Sequence, residues 1–100
     1  MAREDVGEAR DAYRRRAWGG AHAAFLAADA AAPLDADDLE LLAVSTFMLA
    51  RDDEYVAVLE RAHRTHLEQG ETARAVRCAF WIGLNLLTRG AVGPARGSGG

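Results

Sequence analysis

The feature that most constrains this chain is a repeat of 34 residues: Ala9 is answered by Ala43, Ala21 by Tyr55, Phe25 by Leu59 and Ala28 by Ala62. That period belongs to a stacked helix–turn–helix unit. Such a unit cannot bury its apolar face alone, so it stacks on neighbours. The repeat therefore predicts an all-α chain of about five helices, in antiparallel pairs stacked as a short α-solenoid with a curved face.

Local signals place the helices. The first spans Arg3 to Ala17, with Val6, Ala9, Tyr13 and Ala17 on one side. Glu4, Asp5 and Glu8 near its start and Arg14 to Arg16 near its end suit the helix dipole. Gly19 and Gly20 read as the turn, and the second helix runs from Ala21 to Ala31. Pro33 stops it, having no amide hydrogen to donate. Asp35 is the expected N-cap of a third helix that reaches Ala50. This helix is apolar almost all round, which predicts a central position. Asp52 or Asp53 then caps a fourth helix that extends to Gln69, and Gly70 closes it. A fifth runs from Thr72 to Thr88 with a stripe of Val76, Ala79, Phe80, Leu84 and Leu87. The domain is expected to cover 1–90; residues 91–100, rich in glycine, read as a flexible tail or a truncated next helix.

Small residues at Ala9, Ala21 and Ala28, aromatic Phe25 and then Pro33 stand in the order and spacing of a tetratricopeptide (TPR) repeat, which this stretch resembles. The second repeat is looser, with Tyr55 at a small-residue position and Leu67 where proline is expected. In a third repeat Gly83 stands as the counterpart of Ala43, forty residues on, six more than the period. A long second helix ending in Glu68-Gln69-Gly70, then ARAVRCAFWIGLNLLTRG, is similar to the helical-repeat region of large LuxR-type transcription regulators, over most of Glu8 to Arg96. The resemblance implies a regulatory or scaffolding part of such a regulator, cytoplasmic, with DNA bound by a separate domain. No helix-turn-helix can be read after Gly90.

The resemblance also implies a concave groove lined by the first helix of each pair. Its residues would be Arg10, Tyr13 and Arg14; then Glu40, Val44, Phe47 and Met48; then Arg77, Phe80 and Leu84. Arg3, Val6, Asp37, Leu87 and Thr88 would occupy the remaining lining positions. Aromatics, methionine and arginine are enriched where proteins bind. The plainer reading is that the apolar members pack on neighbouring helices.

Other constellations are weaker. His63 and His66 stand at i and i+3, with Glu60 before them, and could meet a metal if a third ligand existed. The sequence names none, so both read as surface histidines. Cys78 lies in an apolar stretch and reads as a buried, inert thiol. Arg14 to Arg16 read as solvated and dipole-matched, and Asp35, Asp37 and Asp38 as capping residues.

The formal charge of −3 argues against general nucleic-acid binding, and all twelve basic residues are arginine, which reads as coding bias. A single cysteine excludes an internal disulfide framework. The expectation is a module that binds a protein segment, a peptide or a small effector, with no enzymatic role, cofactor, metal or membrane association. Phe80, Trp81, Leu84 and Leu87 lack a partner helix in this reading, so self-association is expected at the open end. Two other readings stand beside it: a helical homodimerisation module, and a small metal-dependent hydrolase using His63 and His66.

Overall fold

A computed structural model describes the backbone of residues 2–99 and the side chains of residues 6–88. Five helices follow one another with no strand among the described residues: α1 Ala2–Arg14, α2 Trp18–Ala31, α3 Ala36–Met48, α4 Asp52–Glu68 and α5 Thr72–Gly99. Each helix packs on the next, and α1 also packs on α3. The result is the stack of helix pairs that the repeat predicts. Among the described residues, no helix is long and apolar enough to cross a membrane.

The repeated small residues make the stack. Ala9, Ala21, Phe25, Ala28 and Ala62 are wholly buried, and Ala43 is 1% exposed. Methyl groups at these positions let helix axes approach, and Phe25 fills the gap between them. Leu39 and Leu42 of α3 and Val58 and Leu59 of α4 complete the core.

α1 and α3 end alike. Arg16 turns left-handed at φ 61°, and Ala50 does so at φ 60°. The amides of Arg16 and Ala17 return to the carbonyls of Tyr13 and Ala12, both at 2.9 Å. Those of Ala50 and Arg51 return to Phe47 and Thr46, at 2.9 and 3.2 Å. This double closure satisfies carbonyls left over at a helix end. The two left-handed residues lie 34 positions apart, so the backbone repeats even where the side chains, arginine and alanine, do not match. α4 closes the same way at Gly70, φ 76°.

Several boundaries differ from expectation. The turn after α1 lies at Arg15 to Ala17, and Gly19 and Gly20 fall inside α2. The left-handed Arg16 closes α1 before the glycines are reached. Asp35 caps α3 as expected, its carboxylate accepting from the Asp38 amide at 2.8 Å. α4 begins after Arg51 with no side-chain cap, and Asp52 and Asp53 sit in its first turn. α5 continues past Thr88 to Gly99, with no separate helix beginning near Val92; the side chains of the glycine-rich stretch lie outside those described. Gly83 is exposed and a methyl group there would touch nothing within 4 Å, so it does not mark a close helix approach. The inward positions of α5, Ala75, Cys78 and Ile82, instead repeat Leu39, Leu42 and Thr46 of α3 at an offset of 36.

Candidate functional site

The site arises from a difference between two helix spacings. α1 packs directly against α3, whereas α3 and α5 make no close backbone approach among the described residues. Long side chains span that gap. Arg74 Nη1 donates to Asp37 Oδ1 at 2.7 Å, and Arg77 Nη2 to Glu40 Oε1 at 2.6 Å. Beside these bridges lies a groove of about 500 Å³. Tyr13 closes one end, Val44 and Phe47 form one wall, and Trp81 and Leu84 form the other. Its floor is Tyr55 and Leu59 of α4. The Phe47 ring leans on Tyr55 with centroids 5.1 Å apart.

The groove is mostly apolar and carries a few polar groups: Glu40, Asn85, Thr88 and the two tyrosines. That composition and volume are typical of sites holding a small molecule or a few inserted side chains. Burial raises the Tyr55 phenol, so it stays protonated at neutral pH and can donate a hydrogen bond. Phe47 is 51% exposed and Trp81 45%, large aromatics half uncovered in one concavity.

Of the groove residues expected from the sequence, Tyr13, Glu40, Val44, Phe47, Leu84 and Thr88 line this cavity. Arg10 does not. Its Nε and Nη2 donate to the two carboxylate oxygens of Asp38 at 2.8 and 2.7 Å, tying α1 to α3. A second cleft of about 590 Å³ opens beside this pair, but the charges in it already satisfy each other. Arg14 points to solvent near Asp11, and Arg77 is bonded to Glu40. Met48 and Phe80 are exposed outside the groove. Sequence reasoning missed Leu41, Ala43, Tyr55, Leu59, Trp81 and Asn85 as lining residues. Tyr55 and Leu59 were missed because the surface was assigned to first helices alone, whereas the wide gap uncovers the helix behind; Leu41, Ala43, Trp81 and Asn85 lie on first helices at positions outside the repeat's groove pattern.

The two histidines do not form a pair. His66 is 1% exposed, contrary to its reading as a surface residue, because α3 and α5 both cover that face of α4. Its Nε2 shares a hydrogen with Glu40 Oε2 at 2.5 Å. Its Nδ1 is buried with no hydrogen-bond partner among the described residues, which typically costs about 1–3 kcal/mol. Cys78 is buried, and burial, reinforced by Glu40 and opposed by Arg77, pushes its thiol up. His22 makes a similar bond to Glu54 at 2.5 Å, joining α2 to α4.

No protein-family model matches the chain, and no curated protein or solved structure is significantly similar to it.

Proposed function

We propose that this chain is an interaction module whose α3–α5 groove receives an apolar segment of a protein or peptide partner. The observation that supports it is the half-exposed aromatic and aliphatic lining of one concavity between two helices. A short amphipathic segment inserting two or three apolar side chains suits the volume and the scarcity of charge. Tyr13, Tyr55 and Asn85 would bond its backbone or polar face. If the sequence resemblance to the helical region of LuxR-type regulators reflects common descent, such a module would belong to a transcription regulator and act through protein contacts rather than on DNA.

Selection of peptides from a random display library against the full chain tests the groove. Apolar peptides with micromolar affinity are expected, losing at least tenfold against Leu84→Arg and Phe47→Ala. Failure to enrich any peptide, or enriched peptides indifferent to both variants, would overturn the reading. The regulator assignment is tested by the gene: a reading frame continuing beyond Gly100 into a helix-turn-helix supports it, and one that stops there counts against it.

A second reading rests on the outer face of α5. Val76, Phe80 and Leu87 are 61, 59 and 70% exposed and lie along one side of that helix. A further helix would cover them in a longer stack, and a second copy of the chain could do so here. Light scattering over a concentration series checks this: a mass rising toward the dimer, reversed by Phe80→Glu, is expected. A constant monomer mass sinks it.

A further inference from the structure

We propose that Glu40, His66 and Cys78 form a binding site for a thiophilic divalent transition ion, zinc in the first instance. They come from α3, α4 and α5, and a carboxylate oxygen, a ring nitrogen and the thiol sulfur lie within 4.8 Å of one another. This donor set is borderline-soft and suits zinc or cobalt, and not calcium or magnesium, which take hard oxygen ligands. His66 and Cys78 are each 1% exposed, so the ligands are held by packing and need not be recruited from solvent.

The surroundings aim two of the donors at one another. His66 Nε2 faces Glu40 Oε2, and with Nδ1 unpartnered this is the ring's one hydrogen bond among the described residues. Arg77 holds Glu40 by Oε1 and leaves Oε2 directed at the histidine. Outer partners of this kind orient metal-binding carboxylates and histidines.

The distances need modest adjustment. Zinc bonds of about 2.0–2.3 Å place tetrahedral ligands roughly 3.3–3.8 Å apart. The His66–Glu40 hydrogen bond at 2.5 Å must therefore open by about an ångström. On binding, the Cys78 thiol gives up its proton to solvent, the ion takes the place of the hydrogen between His66 Nε2 and Glu40 Oε2, and the ring keeps its own hydrogen on Nδ1; no redox change occurs. Three protein ligands leave one coordination position, to be filled by water or by a donor atom of a partner. Glu40 also lines the apolar groove, so ion uptake would be felt there.

Sequence inspection found only His63 with His66, three residues apart on one helix. The fold replaces His63 with residues 26 positions before and 12 positions after His66, a juxtaposition that no local spacing reveals.

The test is titration of the reduced full-length chain with cobalt(II), then zinc(II). One equivalent of cobalt should give the near-ultraviolet thiolate-to-cobalt charge-transfer band and the visible bands of a four-coordinate centre, and zinc should abolish both. Cys78→Ser keeps the side-chain size; it should remove the charge-transfer band and weaken binding at least tenfold. Glu40→Gln should weaken binding, and His63→Ala should leave the spectrum unchanged. Circular dichroism melts of each variant separate loss of the site from loss of the fold, and Cys78→Ser carries the test if a His66 variant unfolds. Absence of the charge-transfer band in the folded wild type overturns the proposal. So does a cobalt spectrum that survives Cys78→Ser or that depends on His63.

Discussion

Arg16 and Ala50 hold a backbone conformation that costs a side-chain-bearing residue about 1–2 kcal/mol. Glycine would relieve that strain and lose about 0.4–1 kcal/mol to the added freedom of the unfolded chain. Ala50→Gly is therefore expected to raise stability by about 0.5–1 kcal/mol, read from urea melts. Gly70→Ala should lower it by about 1 kcal/mol, since Gly70 already uses the left-handed freedom. Gly19→Ala should stabilise by about 0.5–1 kcal/mol, because that glycine lies in a helix with open space around it. Phe25 is the opposite case. It is wholly buried between the helices of the first pair, and Phe25→Ala should cost about 3–5 kcal/mol in the same melts. A loss under 1 kcal/mol would mean that the wedge is elsewhere. The burial of Phe25 was legible because an aromatic among alanines at a fixed period has one structural meaning. The left-handed residues were not. Their conformation is imposed by docking of the next helix, and arginine and alanine carry no trace of it.

At the scale of helices, charge pairs decide how the elements seat. Arg61 of α4 grips Asp29 of α2 with two bonds, at 2.8 and 2.9 Å, and Asp29 also accepts from the Leu34 amide at 3.1 Å. One carboxylate thus joins two helices and fixes the chain after Pro33. The Arg61 bond, ahead of the opposing cost of burial, lowers the Asp29 pKa below its ordinary 3.8. A lowered carboxylate contributes its stability in full above the unfolded value and loses it as pH falls through the folded one. Stability should therefore drop below about pH 4 more steeply in the wild type than in Asp29→Asn. At pH 7 that variant should lose about 1 kcal/mol, a modest figure because Arg61 is 37% exposed and partly screened. Acid titration of the melting midpoint in both proteins checks this. Helix existence and the Asp35 cap could be read from periodicity and local chemistry. The pairings Arg61–Asp29, Arg10–Asp38 and His66–Glu40 could not, since partners 32, 28 and 26 residues apart meet only through the stacking geometry.

For the whole molecule, the α1–α3 spacing is held by direct helix packing together with the Arg10–Asp38 pair, and the α3–α5 spacing is bridged by charged side chains reaching across a gap. The first keeps its packed contacts when salt screens its ion pair. The second consists of Arg74–Asp37 and Arg77–Glu40, and both arginines are about half exposed, at 48 and 52%. Dissolved ions weaken such bridges over a screening length that falls from about 10 Å at 0.1 M to about 3 Å at 1 M. The stack should thus behave as a stiff body with one compliant joint. Spin labels at Met48 and Leu87, in a Cys78→Ser background, are expected to move apart and broaden in distance distribution between low and molar salt. Labels that bridge α1 and α3 should not move. In a cell, the width of the aromatic cleft would then follow ionic strength, so an electrolyte change with no contact to any bound peptide would alter how firmly it is gripped.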